Sequence, residues 1–70
     1  MELTPVESSN IAAVGWEDEV LEIEFNKGGK YRYYGVPEEI FKAMMAAPSK
    51  GKFFHSRIRP KQYEYGYEKV

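Results

Sequence analysis

Seventy residues allow one small domain, burying only about 60% of the surface its unfolded chain exposes, and leave no room for a second. With 43% hydrophobic and 16% aromatic residues the chain is too apolar to be disordered, and it has no cysteine for a disulfide framework or a thiolate metal site. A net charge of −1 hides an asymmetry: residues 1–24 hold Glu2, Glu7, Glu17, Asp18, Glu19, Glu22 and Glu24 with no Lys or Arg, whereas 50–61 hold Lys50, Lys52, Arg57, Arg59 and Lys61 with no acid.

No stretch approaches the roughly 20 apolar residues of a membrane span. The opening "MELTPVESS" lacks the basic and apolar regions of a secretory signal. Together with the absence of cysteine, this gives the expectation of a cytoplasmic protein that enters no membrane.

In chain order, "SNIAAVGW" is β-compatible, and "VLEIEF" alternates, with Leu21, Ile23 and Phe25 on one side and Glu22 and Glu24 on the other. "KYRYYG" continues the alternation after a glycine turn, which outlines a three-strand meander. The second hairpin can be tested for register, because a slip of one residue sends a whole strand's side chains to the opposite face. An even loop would set Ile23 against Arg32 and Glu24 against Tyr31. A three-residue loop over 27–29 pairs Phe25 with Tyr31, Glu24 with Arg32 and Ile23 with Tyr33, and supplies Gly29 for a left-handed position. Tyr31 and Tyr33 are therefore expected on the covered face, as structural residues.

"VPEEIFKAMMAAP" predicts a helix of about three turns, with Pro37 at its first position, Glu38 and Glu39 at the positive end of its dipole, and Pro48 closing it. Ile40, Met44 and Ala47, flanked by Phe41 and Met45, form an apolar stripe expected to pack on Leu21, Ile23, Phe25, Tyr31 and Tyr33. A second short helix follows, with Ser49 as its N-cap. At about 100° per residue, Lys52, His55, Ser56 and Arg59 share one side, while Phe53, Phe54 and Ile58 lie opposite. Arg57 falls at the edge of the apolar arc, where an internal ion pair or hydrogen bonds are expected. Beyond Pro60, Tyr63, Tyr65 and Tyr67 alternate with polar residues and glycine as a strand would; it joins either an edge of the meander or another copy of the chain. The fold class is α+β: an antiparallel meander of three to four strands covered on one face by a helix, with a second short helix before a C-terminal strand. The expected core is Leu21, Ile23, Phe25, Tyr31, Tyr33, Ile40, Met44, Phe54 and Ile58.

Little here suits catalysis. His55 is the only histidine and Asp18 the only aspartate. His55 and Ser56, adjacent in sequence, point in different directions on a helix and do not make a base and nucleophile pair. No metal-ligand spacing or cofactor signature is present, so neither a metal nor a cofactor is expected. "NKGGK" resembles a phosphate loop only superficially, since no helix follows it.

The chain resembles the KTSC domain, named after the C-terminal extension of some lysyl-tRNA synthetases. The resemblance rests on "ESSNIAAVGW" followed by "VLEIEFNKGGKYRYYGVPEEIFKAMMAAPSKGKFFHSRIRPKQY". Its landmarks are Ser8, Ser9, Ile11 and Gly15, Phe25 with Gly29, the Tyr31 to Tyr33 "YxY", Val36-Pro37, Ala47, Ser49, Gly51 and Ile58-Arg59. Trp16 stands where the family usually has Tyr, and Pro48 replaces an ordinary residue before Ser49. The resemblance implies a bacterial or phage domain, alone or appended to a synthetase, with no known catalytic residue and a suggested role in RNA binding.

The expected function is a small non-enzymatic interaction or self-association module, in which the Tyr63 to Tyr67 strand or an exposed edge pairs with another chain, a homodimer through the C-terminal strand being one such pairing. The alternative is a weak RNA-binding accessory module, for tRNA by the resemblance, that contacts phosphates through Lys50, Lys52, Arg59 and Lys61 with His55 beside them. About four phosphate contacts would give a log–log salt slope no steeper than about −3 to −4.

Overall fold

The computed structural model describes residues 1–70. Five antiparallel strands form one sheet in chain order: β1 (Thr4–Pro5), β2 (Ile11–Glu17), β3 (Val20–Phe25), β4 (Gly29–Tyr34) and β5 (Tyr67–Lys69). Between β4 and β5 the chain forms helix α1 (Glu38–Ala46) and then a nearly continuous helical run. That run comprises α2 (Lys50–Phe53), a π-turn (Phe54–Ile58), a 3-10 turn (Arg59–Lys61) and α3 (Gln62–Tyr65). The architecture is the expected α+β meander, enlarged by the two-residue β1 at one edge.

The faces follow from β pairing. Val14, Ile23 and Tyr31 stand side by side, as do Trp16, Leu21 and Tyr33, and these rows lie under the helices. Gly15, Glu22, Arg32 and Glu68 form a row on the opposite, open face. A bulge at Ala12 lets both Ile11 and Val14 point inward. The buried cluster is Ile11, Val14, Leu21, Ile23, Tyr33, Val36, Met44, Phe54 and Ile58; Phe25, Tyr31 and Ile40 are only half-buried against it.

The second hairpin differs from expectation by two residues. Its loop is Asn26 to Gly28, so Ile23 faces Tyr31, Glu22 faces Arg32 and Leu21 faces Tyr33. The bonds of Asn26 account for the shift, and an ion pair accompanies it; the expected register would also have set a glutamate, Glu24, against Arg32. Asn26 is drawn out of the strand, its backbone N–H donating to the Asn10 carbonyl (2.9 Å) and its side-chain amide to that of Ser8 (3.1 Å). Arg32 meets the buried Glu22, its Nε donating to Oε1 at 2.6 Å. An even shift preserves sidedness, so both tyrosines stay on the covered face. Gly29 adopts φ +81°, the left-handed conformation glycine favours.

Helix α1 begins one residue later than expected, with Pro37 as its N-cap. Its stripe does not cover the whole predicted face. The Trp16 indole donates to the Val36 carbonyl (2.8 Å) and stacks on Phe41, while the Val36 N–H donates to the Glu19 carbonyl (2.9 Å). These bonds pin the start of α1 beside the β2–β3 turn, and the helix lies against β2 and α2. Phe54 covers the rest, meeting Phe25 and Tyr33 edge-on at centroid separations of 5.2 and 5.9 Å.

Two further expectations need correction. Tyr63 and Tyr65 belong to α3, not to a strand; only Tyr67–Lys69 is extended, and it pairs with β4 of the same chain. Pro60 does not stop the helical run because it sits at the start of the 3-10 turn, where its missing N–H costs nothing. Gly66, at φ +67°, reverses the chain into β5. Arg57 has no ion pair: it is exposed, with its guanidinium carbon 5.5 Å from the Phe53 ring centroid. At the edge of the apolar arc the charge stays hydrated while covering a half-buried ring.

Candidate functional site

Where the helical run crosses the ends of β3 and β4, the domain has a groove of about 630 Å³. Three segments build its walls. Ser8 Oγ accepts from the N–H groups of Asn10 and Ile11 (both 3.2 Å) and shapes the turn into β2. The Asn26 bonds described above tie the hairpin tip to this turn. Gly51 completes the wall: a Cβ there would lie 3.1 Å from the Asn10 side-chain amide, so α2 approaches this loop closely because residue 51 has no side chain.

The floor is aromatic, with Phe25, Tyr31, Tyr33, Phe54 and Tyr67 lining it. Tyr67 stacks on Tyr33 at 5.9 Å and 20° between ring planes, and Phe25 meets Tyr31 edge-on. The charged or chargeable lining residues are Lys27, His55 and Arg59, and no carboxylate lines the groove. Asn10, Asn26 and Gln62 add neutral hydrogen-bonding groups.

The π-turn accounts for the presence of Arg59. Its N–H donates to the Phe54 carbonyl, five residues back. On an α-helix, residues five apart point about 140° from each other, which would send Arg59 away from the face that Phe54 buries. Widening the turn brings Arg59 round toward Phe54 and the tyrosines.

Burial pushes the Tyr33 phenol up to about 12; Tyr31 and Tyr67 add to the rise, and the Arg59 charge opposes it. In the unfolded chain a tyrosine ionises near 10. The folded state therefore holds a proton that the unfolded state loses between these values. The stability from this group is complete below about pH 10 and falls as pH rises toward 12. Tyr33→Phe is expected to make the decline shallower in urea unfolding at pH 8, 10 and 11. An unchanged decline would mean that this phenol is not held protonated by the fold.

The basic residues of 50–61 separate in space. Arg59 and His55 line the groove, whereas Lys52 and Lys61 are exposed outside it. Lys50 Nζ donates to the Ala47 carbonyl at 2.6 Å, near the C-terminus of α1. None of the five basic residues pairs with a carboxylate, so the acidic half of the chain does not neutralise them. Glu22 and Glu68 lie on the open face, where Tyr34 donates to Glu68 and Arg32 is held charged by Glu22. The Ser56 hydroxyl donates to the Lys52 carbonyl at 2.9 Å, and the His55 ring meets Phe54 rather than a carboxylate. No group of three His, Cys, Asp or Glu side chains is gathered to hold a metal, and no helix is long and apolar enough to cross a membrane.

Reading the sequence for charge missed the groove's polar wall and its tyrosines. Seven of the landmarks that carry the family resemblance converge here: Ser9, Ile11, Phe25, Tyr31, Tyr33, Gly51 and Arg59.

Comparison with known proteins bears on the fold and the family. A crystal structure of a KTSC domain protein from Yersinia pestis superposes with a TM-score of 0.91 at 39% identity, covering 99% of this chain and 96% of the other. An uncharacterized protein of Stutzerimonas stutzeri is 36% identical over 93% of this chain and 94% of its own length. A lysine-tRNA ligase of Nostoc sp. is 38% identical over 84% of this chain, which corresponds to 11% of the ligase. The KTSC domain model matches residues 7–63. The chain therefore belongs to the KTSC domain family.

Proposed function

We propose that this domain is a non-catalytic binding module whose groove receives a short single-stranded segment of RNA. The observation that carries this reading is the composition of the groove: Phe25, Tyr31 and Tyr67 keep exposed ring surface, backed by the buried Tyr33 and Phe54, beside Lys27, His55 and Arg59 and no acidic side chain. Single-stranded nucleic acid is held by this combination, rings for bases and cations for phosphates. Similarity to a segment of a lysine-tRNA ligase is consistent with an RNA partner. A binding role also fits a histidine with no carboxylate beside it in the groove and a serine hydroxyl already bonded within its own helix.

Self-association through the C-terminal strand draws less support. The strand β5 is paired within the chain, and its outer edge is three residues long and carries Glu68 and Lys69. The other edge is the two-residue β1 with Pro5, which has no N–H to donate. Both edges are of the short, charged or proline-bearing kind that resists strand addition.

Fluorescence anisotropy of a labelled single-stranded dodecanucleotide RNA, long enough to reach beyond the groove, tests the proposal. With Lys27 and Arg59 as the phosphate contacts, the expected log–log salt slope is about −1.4, from about −0.7 per contact on a single strand. No binding at low salt would overturn the reading, as would a slope near −3, which would move the contact to the wider basic segment.

A further inference from the structure

We infer that the groove continues to a second base position on Tyr63, so that its ligand is at least a dinucleotide; this rests on the RNA-binding reading above. Tyr63 is 81% exposed, more than any other large apolar side chain of the domain. A single exposed ring is ordinary on a protein surface. The position of this one is distinctive, because it ends a row of rings that starts in the core. Phe54 meets Tyr33 edge-on at 5.9 Å, Tyr33 stacks on Tyr67 at 5.9 Å, and Tyr67 meets Tyr63 at 6.0 Å and 69°. The first three rings line the groove, and Tyr63 stands next to its rim.

Tyr63 is also held in place. It lies on α3, which is anchored by the half-buried Tyr65 packed against the core and by Gly66 at φ +67° leading into β5. The Gly66 carbonyl accepts from the Tyr34 N–H at 2.9 Å, fixing this corner to β4. The backbone that carries Tyr63 is therefore fixed before any ligand arrives, and the ring, touching Tyr67 at one edge, has most of its surface free. A strand leaving the groove past Tyr67 would meet it next, where a second base could stack.

The experiment compares adenosine monophosphate, the dinucleotide ApA and tetra-adenylate at one ionic strength, with affinities measured by NMR titration. ApA carries no more negative charge than the monophosphate, so tighter binding reports stacking rather than phosphate contacts. The dinucleotide is expected to bind roughly tenfold more tightly than the monophosphate, the gain of one ring–base stack. Tyr63→Ala is expected to abolish that gain while leaving monophosphate binding unchanged, and Tyr63→Phe to retain it. The ring is exposed, so neither change threatens the fold. If Tyr63→Ala keeps the full dinucleotide gain, or if the wild-type protein shows none, the second position is wrong although the groove still binds. If the wild-type protein binds none of the three, the groove reading fails and the inference with it.

Discussion

Replacing Phe54 by alanine is expected to remove about 3–5 kcal/mol of stability, the usual cost of emptying a buried phenylalanine site. Phe54 is 7% exposed and joins the two layers of the domain, meeting Phe25 and Tyr33 from the sheet while carried on the helical run. A chain of this size has a total stability of roughly 4–10 kcal/mol, so the variant should sit close to its unfolding threshold at room temperature. Collapse around the missing ring is limited on the sheet side, because Tyr33 is held by Tyr67 and by β pairing on both flanks. The neighbouring Phe53 provides the control. It is half-buried and covered by Arg57 rather than enclosed, so Phe53→Ala is expected to cost well under half as much. Urea unfolding of both variants checks this order; a Phe54→Ala protein within about 1 kcal/mol of wild type would show that α1 alone can hold the sheet face.

Charge reversal at Arg59 is expected to weaken RNA binding at least tenfold, without unfolding the domain. The side chain is exposed and pairs with no carboxylate, so its removal strands no buried charge. Hydrogen bonds to charged groups contribute about 1.5–3 kcal/mol, which corresponds to a tenfold change or more. Lys52→Glu and Lys61→Glu lie outside the groove and are expected to weaken binding less than about threefold, through screened long-range repulsion only. The salt slope should also flatten from about −1.4 to about −0.7 in the Arg59→Glu variant, as one phosphate contact is lost. Equal losses from all three reversals would return the phosphate contact to the basic segment as a whole.

The difference between those two outcomes marks where the sequence ceased to be legible. Alternation in "VLEIEF" and "KYRYY" was enough to place Leu21, Ile23 and Tyr33 inward, because sidedness depends only on parity. The two-residue shift was not readable, since it is set by the bonds of Asn26 to Ser8 and Asn10, sixteen or more residues away in sequence. Helix α1 was marked by Pro37, its first-turn glutamates and Pro48. The second run was harder: a wheel drawn at a constant angle put Arg59 on one side with His55, which also lines the groove, but it could not show the π-turn that swings Arg59 toward Phe54. Tyr63 and Tyr65 read as a strand by alternation, although Gly66 carried the signal of a helix end. Tyr33 illustrates the remaining gap. Its ring is 2% exposed and belongs to the core, yet it also lines the groove beside Arg59. A structural role for that tyrosine therefore does not preclude a place in the site.

The two faces of the sheet have different characters. The open face holds the Glu22–Arg32 pair and the Tyr34–Glu68 bond, and Gly15 there makes room for the N-terminal residues: a Cβ at position 15 would lie 2.6 Å from Leu3 Cδ2 and 2.7 Å from the Glu2 carbonyl oxygen. On this face the charges are paired, Glu22 with Arg32 and Glu24 opposite Lys30, and part of it is covered by the chain itself, whereas the groove on the other side keeps its cations unpaired by any acid. Under the RNA-binding proposal, that contrast would direct a phosphate-bearing ligand to the groove.

The most direct test is a map of amide chemical shifts on titrating the isotope-labelled domain with a short single-stranded RNA at low salt. The expected result is perturbation concentrated at residues 9–10, 26–28, 31, 55, 59 and 67, which surround the groove. Shifts confined to the surroundings of Lys52 and Lys61 or to the open face, or no shifts at all, would contradict the account.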